Sequence, residues 1–107
     1  MRGWSLPTDM YVVAWSYRVV PGREFEFQAL YAADGDWSRL FARSPAYLGT
    51  RLLRDVDEPS RYVTLDRWRA RDDYEAFLHA MREDYAALDL RGDALTDEEV
   101  RIGVIDD

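Results

Sequence analysis

The segment RYVTLDRWRARDDYEAFLHAMREDYAAL, residues 61–88, constrains the fold more than any other part of the sequence, because the spacing of its apolar residues changes within it. Up to residue 69 the side chains alternate as in a β-strand, which places Asp66 and Trp68 on the same face. From Tyr74 onwards the apolar residues recur with the spacing of one helical stripe. The segment therefore predicts a strand that leads into an amphipathic helix, with a pocket wall expected at their junction.

The rest of the chain divides into short elements of the same two kinds. We predict strands at residues 11–20, 46–54, 61–69 and 100–104, and helices at residues 23–33, 37–42 and 72–88. Residues 89–94 are expected to form a loop. Thr96 and Glu99 fit a capping box, which predicts a helical turn before the last strand, in which Val100, Ile102 and Val104 alternate. With no repeat or linker, the sequence predicts one domain over residues 1–107, whose first nine residues are a loose lead-in.

The order of elements, β-α-(α)-β-β-α-β, predicts a ferredoxin-like α+β fold with an antiparallel four-stranded sheet. The crossovers place the helices on one face of this sheet. The other face is then open, and its candidate residues are too apolar for water: Val12, Ala14, Val20, Val63 and Leu65. Because an apolar patch of this size usually marks an interface, we expect a homodimer in which the two sheets pack face to face.

The composition excludes many enzyme classes. The chain has no Cys, no Lys and no Asn, and its single histidine is His79. Disulfides, thiolate nucleophiles, Schiff bases and the phosphate-loop lysine are therefore excluded, and a multi-histidine metal site cannot be built within one chain. We expect no cofactor and no metal. Chemistry is left to Asp, Glu, Tyr, Arg, Ser, Thr and Trp, or to the substrate itself.

The charge pattern bears on partners. The net charge is −7, and the arginines are interspersed among more numerous acids, which disfavours binding to nucleic acid or to an anionic membrane surface. No apolar run approaches the length of a membrane span, and the first ten residues lack the apolar region of a signal peptide. A cytoplasmic protein is the expectation.

Several segments resemble one known family. The Pro21-Gly22 turn after the first strand, GDW and LF within residues 35–41, the YLGTRLLRD arm and the YVTLDRWRARDDYEAF segment resemble the antibiotic biosynthesis monooxygenase family. The resemblance covers about residues 12–104. It implies a dimeric α+β barrel with a pocket between sheet and helices. The family includes monooxygenases that oxidise anthrones to quinones without a cofactor, haem-degrading enzymes and lactone isomerases.

The resemblance also implies site residues. The anthrone-oxidising members carry an Asn and a Trp on the third strand and a Tyr one helical turn further on. Trp68 and Tyr74 occupy the Trp and Tyr positions, and a family Arg on the long helix maps to Arg82. Thr64 stands where the family has Asn. This departure weakens the transfer of the anthrone mechanism to this chain.

The haem-degrading branch fits less well. Its site Asn, Trp and His correspond to Trp15, Phe77 and Ala87 in this sequence. His79 lies on the correct helix but about two turns too early. A partly exposed histidine without a special role is the better interpretation of His79, and haem degradation is disfavoured.

The polar and aromatic residues of the 61–88 segment each allow a structural and a functional interpretation. Asp66 is expected to be buried, so its carboxyl group must be paired with an Arg or a Tyr hydroxyl, or serve as a general base with a raised pKa. Trp68 is either a core anchor or an indole donor to a substrate oxygen. Tyr74 packs its ring in the core, and its hydroxyl is a candidate proton donor. The neighbouring arginines are expected to form ion pairs on a solvated face.

Two functions remain open on these grounds. The first is a cofactor-independent monooxygenase for a small aromatic or polyketide-like molecule, with Asp66 as base, Trp68 and Tyr74 in catalysis, and a binding site formed by Thr64, Arg82, Phe41 and Trp15. The second is a non-catalytic dimeric domain that binds a small ligand, which a narrow or filled cavity would favour. A lactone isomerase is a third, weaker alternative.

Overall fold

A computed structural model describes residues 10–106, so the predicted lead-in at residues 1–9 lies outside the described residues. The strands are β1 (Tyr11–Val19), β2 (Tyr47–Arg54), β3 (Arg61–Trp68) and β4 (Thr96–Asp106), and the helices are α1 (Glu24–Tyr31), α2 (Asp36–Phe41), α3 (Arg71–Ala80) and α4 (Arg82–Asp93). The predicted order of elements is confirmed. None of these helices is long and apolar enough to span a membrane.

The four strands form one antiparallel sheet in the order β2-β3-β1-β4. This is the predicted α+β ferredoxin-like fold. In the register, Val13 of β1 lies opposite Asp66 of β3, and Trp15 lies opposite Thr64. The alternate residues of β3 from Tyr62 to Trp68 are all buried beneath the helices. The face assignment made from the alternation of β3 is therefore confirmed.

Aromatic rings fill the space between the sheet and the helices. The buried core includes residues from every helix and from β1 and β3. Phe27 of α1 stacks on Tyr31 with ring centroids 4.2 Å apart, and Phe41 of α2 packs edge-on against Phe77 of α3 at 5.4 Å. Aromatic side chains bury a large area each, so a short chain can fill a core with few residues.

The predicted long helix is two helices. Met81 leaves the helical conformation, with φ −112° and ψ 24°, and separates α3 from α4. The chain then continues as helix to Asp93, so the predicted end at residue 88 and the predicted loop at 89–94 are wrong. The apolar stripe continues across this break. Leu88 is buried, and the partly buried Tyr85 packs against the core. No strong breaker precedes Gly92 in this stretch, which explains why helix continues beyond the stripe.

Strand β4 begins earlier than predicted and contains a bulge. The predicted helical turn at Thr96 is wrong, because pairing with β1 outweighs the local capping pattern. Arg101 and Gly103 pair with the adjacent residues Trp15 and Ala14, which leaves Ile102 between them as the extra residue. Gly103 has φ +141°, a conformation that side chains rarely adopt, as expected at a bulge.

The bulge changes which side chains of β4 face the helices. Glu99 lies opposite Tyr17 on the helix face, whereas Val100 lies opposite Ser16 on the open face. Val104, beyond the bulge, is again on the helix face. The expectation that the apolar residues of β4 share one face is therefore wrong. A bulge has this effect because side chains alternate with a period of two residues.

The open face of the sheet carries the predicted apolar residues of β1 and β3 in its middle and charged side chains around them, which are Arg18, Arg51, Arg61, Arg67 and Glu98. Leu53, Val63 and Val100 form a row across it together with Ser16, and Leu65 lies in the next row. Leu53 is 38% exposed and Val100 is 47% exposed, while Val12 and Ala14 on the same face are already buried in the single chain. Val20, which was predicted to belong to this face, lies just beyond the end of β1.

Candidate functional site

A narrow cavity lies between the sheet and the helices. The cavity volume is about 20 Å³, and the space between its walls is about 360 Å³ when the open mouth is included. In this conformation the cavity holds little more than one water molecule. Six aromatic rings, two threonines and three carboxyl groups line it: Trp15, Tyr17, Tyr31, Trp37, Phe41, Tyr85, Thr50, Thr64, Asp66, Asp89 and Glu99.

Asp66 is the buried carboxyl group of this cavity. Its side chain is 8% exposed, and Thr50 Oγ1 donates a hydrogen bond of 2.7 Å to its Oδ1. Burial raises the pKa of Asp66 from 3.8 to about 6, and the hydrogen bond from Thr50 opposes this rise. The predicted pairing of this carboxyl group with an Arg or a Tyr hydroxyl gives way to a Thr hydroxyl. A carboxyl group with a pKa near 6 is suited to act as a base near neutral pH.

Thr64, the residue that replaces the family Asn, is buried beside Asp66 on the same strand. Its Oγ1 lies 3.3 Å from the hydroxyl of Tyr17 on β1. Burial raises the pKa of Tyr17, so this hydroxyl stays protonated. Thr64 therefore presents one hydroxyl oxygen, which is already hydrogen-bonded to Tyr17. An Asn at this position would present a separate donor nitrogen and acceptor oxygen.

The predicted residues Trp15 and Phe41 also line the cavity, from β1 and α2. Trp15 is partly buried and stacks beside Tyr17, with ring centroids 6.5 Å apart. Phe41 is buried and packs edge-on against Trp68 at 5.5 Å. The cavity wall is thus continuous with the aromatic core behind it.

Trp68 and Tyr74 lie behind this wall. Trp68 is 0% exposed, and rings of Phe41, Tyr47, Tyr74 and Phe77 surround it with centroids 5.1 to 5.5 Å away. Neither residue is among those that line the cavity. The indole Nε1 of Trp68 is buried, and no described residue accepts a hydrogen bond from it. The geometry gives Trp68 a packing role next to the site.

Arg82 lies away from the cavity. It begins α4 on the surface, and its guanidinium donates a hydrogen bond of 2.9 Å to the main-chain carbonyl of His79. The structure therefore does not bring Arg82 together with Asp66 and Thr64. The expected ion pairing of the neighbouring arginines is observed for Arg69 with Asp73 and for Arg71 with Glu75.

Three carboxyl groups meet at the exposed side of the cavity. Carboxylate oxygens of Asp89, Asp93 and Glu99 lie within 4.8 Å of one another. Burial, followed by repulsion from Asp89 and Asp93, raises the pKa of Glu99 to about 7, and burial likewise raises the pKa of Asp89. The mouth therefore gains negative charge as the pH rises through neutrality.

Several residues of the cavity were not predicted from the sequence. Thr50 lies on β2, where alternation marked only a strand, and Tyr47 of the same strand is hydrogen-bonded to it without lining the cavity. Glu99 comes to the cavity through the bulge in β4, and Asp89 through the unpredicted continuation of α4. The one usable signal was Thr50, because a polar residue opposite Asp66 in a β2–β3 hairpin is a natural hydrogen-bond partner.

Comparisons with known proteins agree with this architecture. Residues 10–82 match the family model described as antibiotic biosynthesis monooxygenase. Among curated proteins no match was found. The structure of SnoaB from Streptomyces nogalater, described as a cofactor-independent oxygenase, is 23% identical, covers 92% of this chain and 93% of its own, and superposes with a TM-score of 0.73.

Two further structures are similar. An alanine variant of SnoaB is 22% identical with a TM-score of 0.75, over 92% of this chain and 93% of its own. A Bordetella bronchiseptica protein classed with the antibiotic biosynthesis monooxygenases is 24% identical with a TM-score of 0.75, over 92% of this chain and 97% of its own. These likenesses establish the fold. Because the family model matches more than half of its length, the chain belongs to the antibiotic biosynthesis monooxygenase family.

Proposed function

We propose that this protein is a cofactor-independent monooxygenase that acts on a small aromatic or polyketide-like molecule, with Asp66 as the base. The observation that carries the proposal is the buried Asp66 carboxyl group in an aromatic cavity, whose pKa is raised to about 6. Family membership and the likeness to SnoaB, itself described as a cofactor-independent oxygenase, support the reaction class.

The proposed reaction requires few catalytic groups from the protein. Once a proton is removed, an electron-rich phenolate or its carbanion can reduce dioxygen directly. Conversion of a ring CH₂ group to C=O consumes one O₂ and releases one H₂O, so the reaction balances without an external reductant. The protein has to deprotonate, orient and shield the substrate. Asp66 would deprotonate it, and Trp15, Phe41 and Thr64 would contact its rings and oxygen atoms.

Substrate entry requires the cavity to widen. A tricyclic phenol does not fit a space that admits little more than one water molecule. Trp15 and Tyr85 are partly buried walls, so rotation of these two rings would open the cavity at the lowest packing cost. Exposed and half-buried side chains change rotamers readily, whereas the buried Phe41 is held on several sides.

The proposal is tested by incubating the purified protein with dithranol under air and under nitrogen, and following quinone formation by absorbance. We expect oxygen-dependent turnover that rises with pH and reaches half its maximum near pH 6, because the base must be ionised. A panel of further anthrones and naphthols widens the search. Absence of turnover above the rate without protein across the panel would refute the proposal.

The alternative is a non-catalytic domain that binds a small ligand. The narrowness of the cavity and the position of Trp68 and Tyr74 behind its wall favour this alternative. Titration of tryptophan fluorescence with the same phenols separates the two functions. Saturable quenching without oxygen consumption indicates binding alone, whereas both signals together indicate an enzyme.

We also propose that the protein is a homodimer joined through the open faces of its sheets. Leu53, Val63, Leu65 and Val100 give this face an apolar surface that a second copy would cover. Face-to-face packing of two sheets removes such side chains from water. Arg18 and Glu98 form an ion pair at one edge of the sheet, where a polar rim is expected.

Replacing Leu53 with Glu is expected to weaken this dimer by about 3 kcal/mol, or about a hundredfold in Kd, because an unpaired charge would be buried in each copy. The matched control is Leu90→Glu, which makes the same change at a 72% exposed position on α4. Sedimentation velocity at micromolar concentration measures the effect. A monomeric parent protein, or equal weakening by both substitutions, would rule out the sheet interface.

A further inference from the structure

A chain of hydrogen-bonded hydroxyl groups leads from Asp66 away from the cavity. Thr50 Oγ1 lies 2.7 Å from Asp66 Oδ1, and the hydroxyl of Tyr47 is hydrogen-bonded to Thr50 Oγ1 in turn. Tyr47 Oη lies 3.2 Å from Ser38 Oγ, and Ser38 Oγ donates to the main-chain carbonyl of Ala32 at 3.1 Å. Four groups from β3, β2 and α2 are thereby connected without a gap.

The protons of this chain can be arranged in two complete orders, because each hydroxyl group carries one proton and accepts others. When Asp66 is ionised, Thr50 donates to the carboxylate, Tyr47 donates to Thr50, and the Ser38 hydroxyl group rotates away from the Ala32 carbonyl to donate to Tyr47. When Asp66 is protonated, every donor reverses, and Ser38 donates to the carbonyl of Ala32. The carbonyl at the far end supplies the acceptor that the second order needs. The same oxygen positions therefore serve both protonation states of Asp66.

The exposure of the members gives the chain a direction. Asp66 and Ser38 are buried, whereas Thr50 and Tyr47 are half-buried. A proton on the buried carboxyl group can therefore reach a partly exposed phenol in two transfers, Asp66 to Thr50 and Thr50 to Tyr47. Burial raises the pKa of Tyr47, so its hydroxyl is protonated at neutral pH and can both donate and accept.

We propose that Thr50 and Tyr47 are positioning residues that hold the Asp66 carboxyl group and carry its proton between the cavity and solvent. The inference rests on the proposed role of Asp66 as base. In the step, the acidic O–H or C–H bond of the substrate breaks and its proton passes to the Asp66 carboxylate. Asp66 then donates to Thr50 as Thr50 donates to Tyr47 and Tyr47 releases a proton to water. One proton leaves, the carboxylate is regenerated, and no electron is transferred through the chain.

Other charged and titratable groups surround this chain without interrupting it. Those that lie near Asp66 or Tyr47, or share the cavity with Asp66, are Tyr17 of β1, Tyr31 of α1, Arg67 of β3, Tyr74 of α3, Tyr85 and Asp89 of α4, and Glu99 of β4. Burial raises the pKa values of the tyrosines among them, so these stay neutral in the range where Asp66 titrates. Thr50 alone lowers the pKa of Asp66 through a hydrogen bond.

The test begins with the pKa of Asp66, measured by carbon-detected NMR of the aspartate side-chain carboxyl groups in the protein without substrate. Thr50→Val is expected to raise this pKa by about 1, because the ionised carboxylate loses a hydrogen bond that favours it. Thr50→Ser keeps the hydroxyl group and is expected to leave the pKa unchanged. An unchanged pKa in Thr50→Val, in a variant whose amide spectrum shows the native fold, would overturn the proposal.

Tyr47→Phe tests the second transfer. The Thr50 hydroxyl loses the donor that orients its proton towards Asp66, so the Asp66 pKa is expected to rise by less than in Thr50→Val. If dithranol is turned over, kcat is expected to fall about tenfold with a larger solvent deuterium isotope effect, since proton release becomes slow. A Tyr47→Phe variant with an unchanged Asp66 pKa would overturn the role of Tyr47. Absence of turnover alone would refute the proposed enzyme, while the NMR measurement still decides the hydroxyl chain.

Discussion

Replacing Asp66 with Asn is expected to lower kcat of the proposed oxidation by about 10²- to 10⁴-fold, the usual contribution of a general base. The amide keeps the shape of the side chain, and its oxygen can still accept the hydrogen bond from Thr50. It cannot take up a proton. Steady-state kinetics with dithranol under air, corrected for oxidation without protein, measure the loss.

The same substitution is expected to stabilise the fold above pH 6. The pKa of Asp66 is about 6 in the folded protein and 3.8 in the reference state, so the folded state binds the proton more tightly. The stability that this proton confers is fully present below about pH 4 and is lost as the pH rises through about 6. The free energy of unfolding falls by roughly 3 kcal/mol over this range. Asp66→Asn carries no such charge and should be more stable than the parent at pH 8 by up to that amount.

The control for both effects is Asp57→Asn, the same change at an exposed position in the β2–β3 turn. It should alter neither kcat nor stability by a measurable amount. Urea denaturation at pH 4 and pH 8 gives the stabilities. An Asp66→Asn variant that retains full turnover would remove Asp66 from the mechanism. A variant destabilised at pH 8 would show that the ionised carboxylate has a stabilising partner.

Replacing Trp68 with Ala is expected to lower the free energy of unfolding by about 3–5 kcal/mol, the loss typical of a buried Trp or Phe. The side chain is fully buried among four aromatic rings, and its removal would leave a cavity behind Phe41. Trp68→Phe is the variant to compare with Trp68→Ala. It retains a ring and removes an N–H group that has no acceptor among the described residues, so a loss of only about 1–2 kcal/mol is expected.

The two Trp68 variants are compared by urea denaturation at equal protein concentration, because a dimer's stability depends on concentration. Equal losses for Phe and Ala would indicate that the indole N–H makes a hydrogen bond after all. Turnover by Trp68→Phe within about threefold of the parent would support a packing role. A hundredfold loss of kcat at unchanged stability would instead return Trp68 to the catalytic role that the family resemblance implies.

The fold was predictable because alternation along a strand reports directly which side chains face the helices. Tyr62, Thr64, Asp66 and Trp68 were assigned to one face from residue spacing alone, and all four are buried there. The errors occur where tertiary pairing overrides local pattern. Thr96 belongs to a strand despite its capping sequence, because main-chain pairing with β1 continues that far.

The site was only partly predictable. Four of the predicted site residues line the cavity: Asp66, Thr64, Trp15 and Phe41. Their positions were predictable because residue spacing indicates which side chains of a strand or helix face the core. The Thr50 hydroxyl group that contacts Asp66 could be inferred only with the register of the β2–β3 hairpin in hand, because a hydrogen bond between strands depends on which residues lie opposite each other. The family resemblance implied a site role for Trp68 and Tyr74, which lie near the cavity but not in its wall.

The bulge at Ile102 determines which side chains of β4 face the cavity and which face the open side of the sheet. Residues 98–101 are displaced by one position relative to a regular pairing with β1, so that Glu99 and Arg101 face the helices. Deleting Ile102 would remove the bulge and leave this pairing unchanged. Pairing Ile102 with Trp15 in a strand of unchanged length would instead shift the preceding residues by one position, which would turn Val100 inward and Glu99 outward. In that register the mouth of the cavity would lose an acid, and the open face of the sheet would gain one. The bulge, rather than any one side chain, therefore decides both which groups of β4 a ligand meets at the cavity mouth and which groups the open face of the sheet presents.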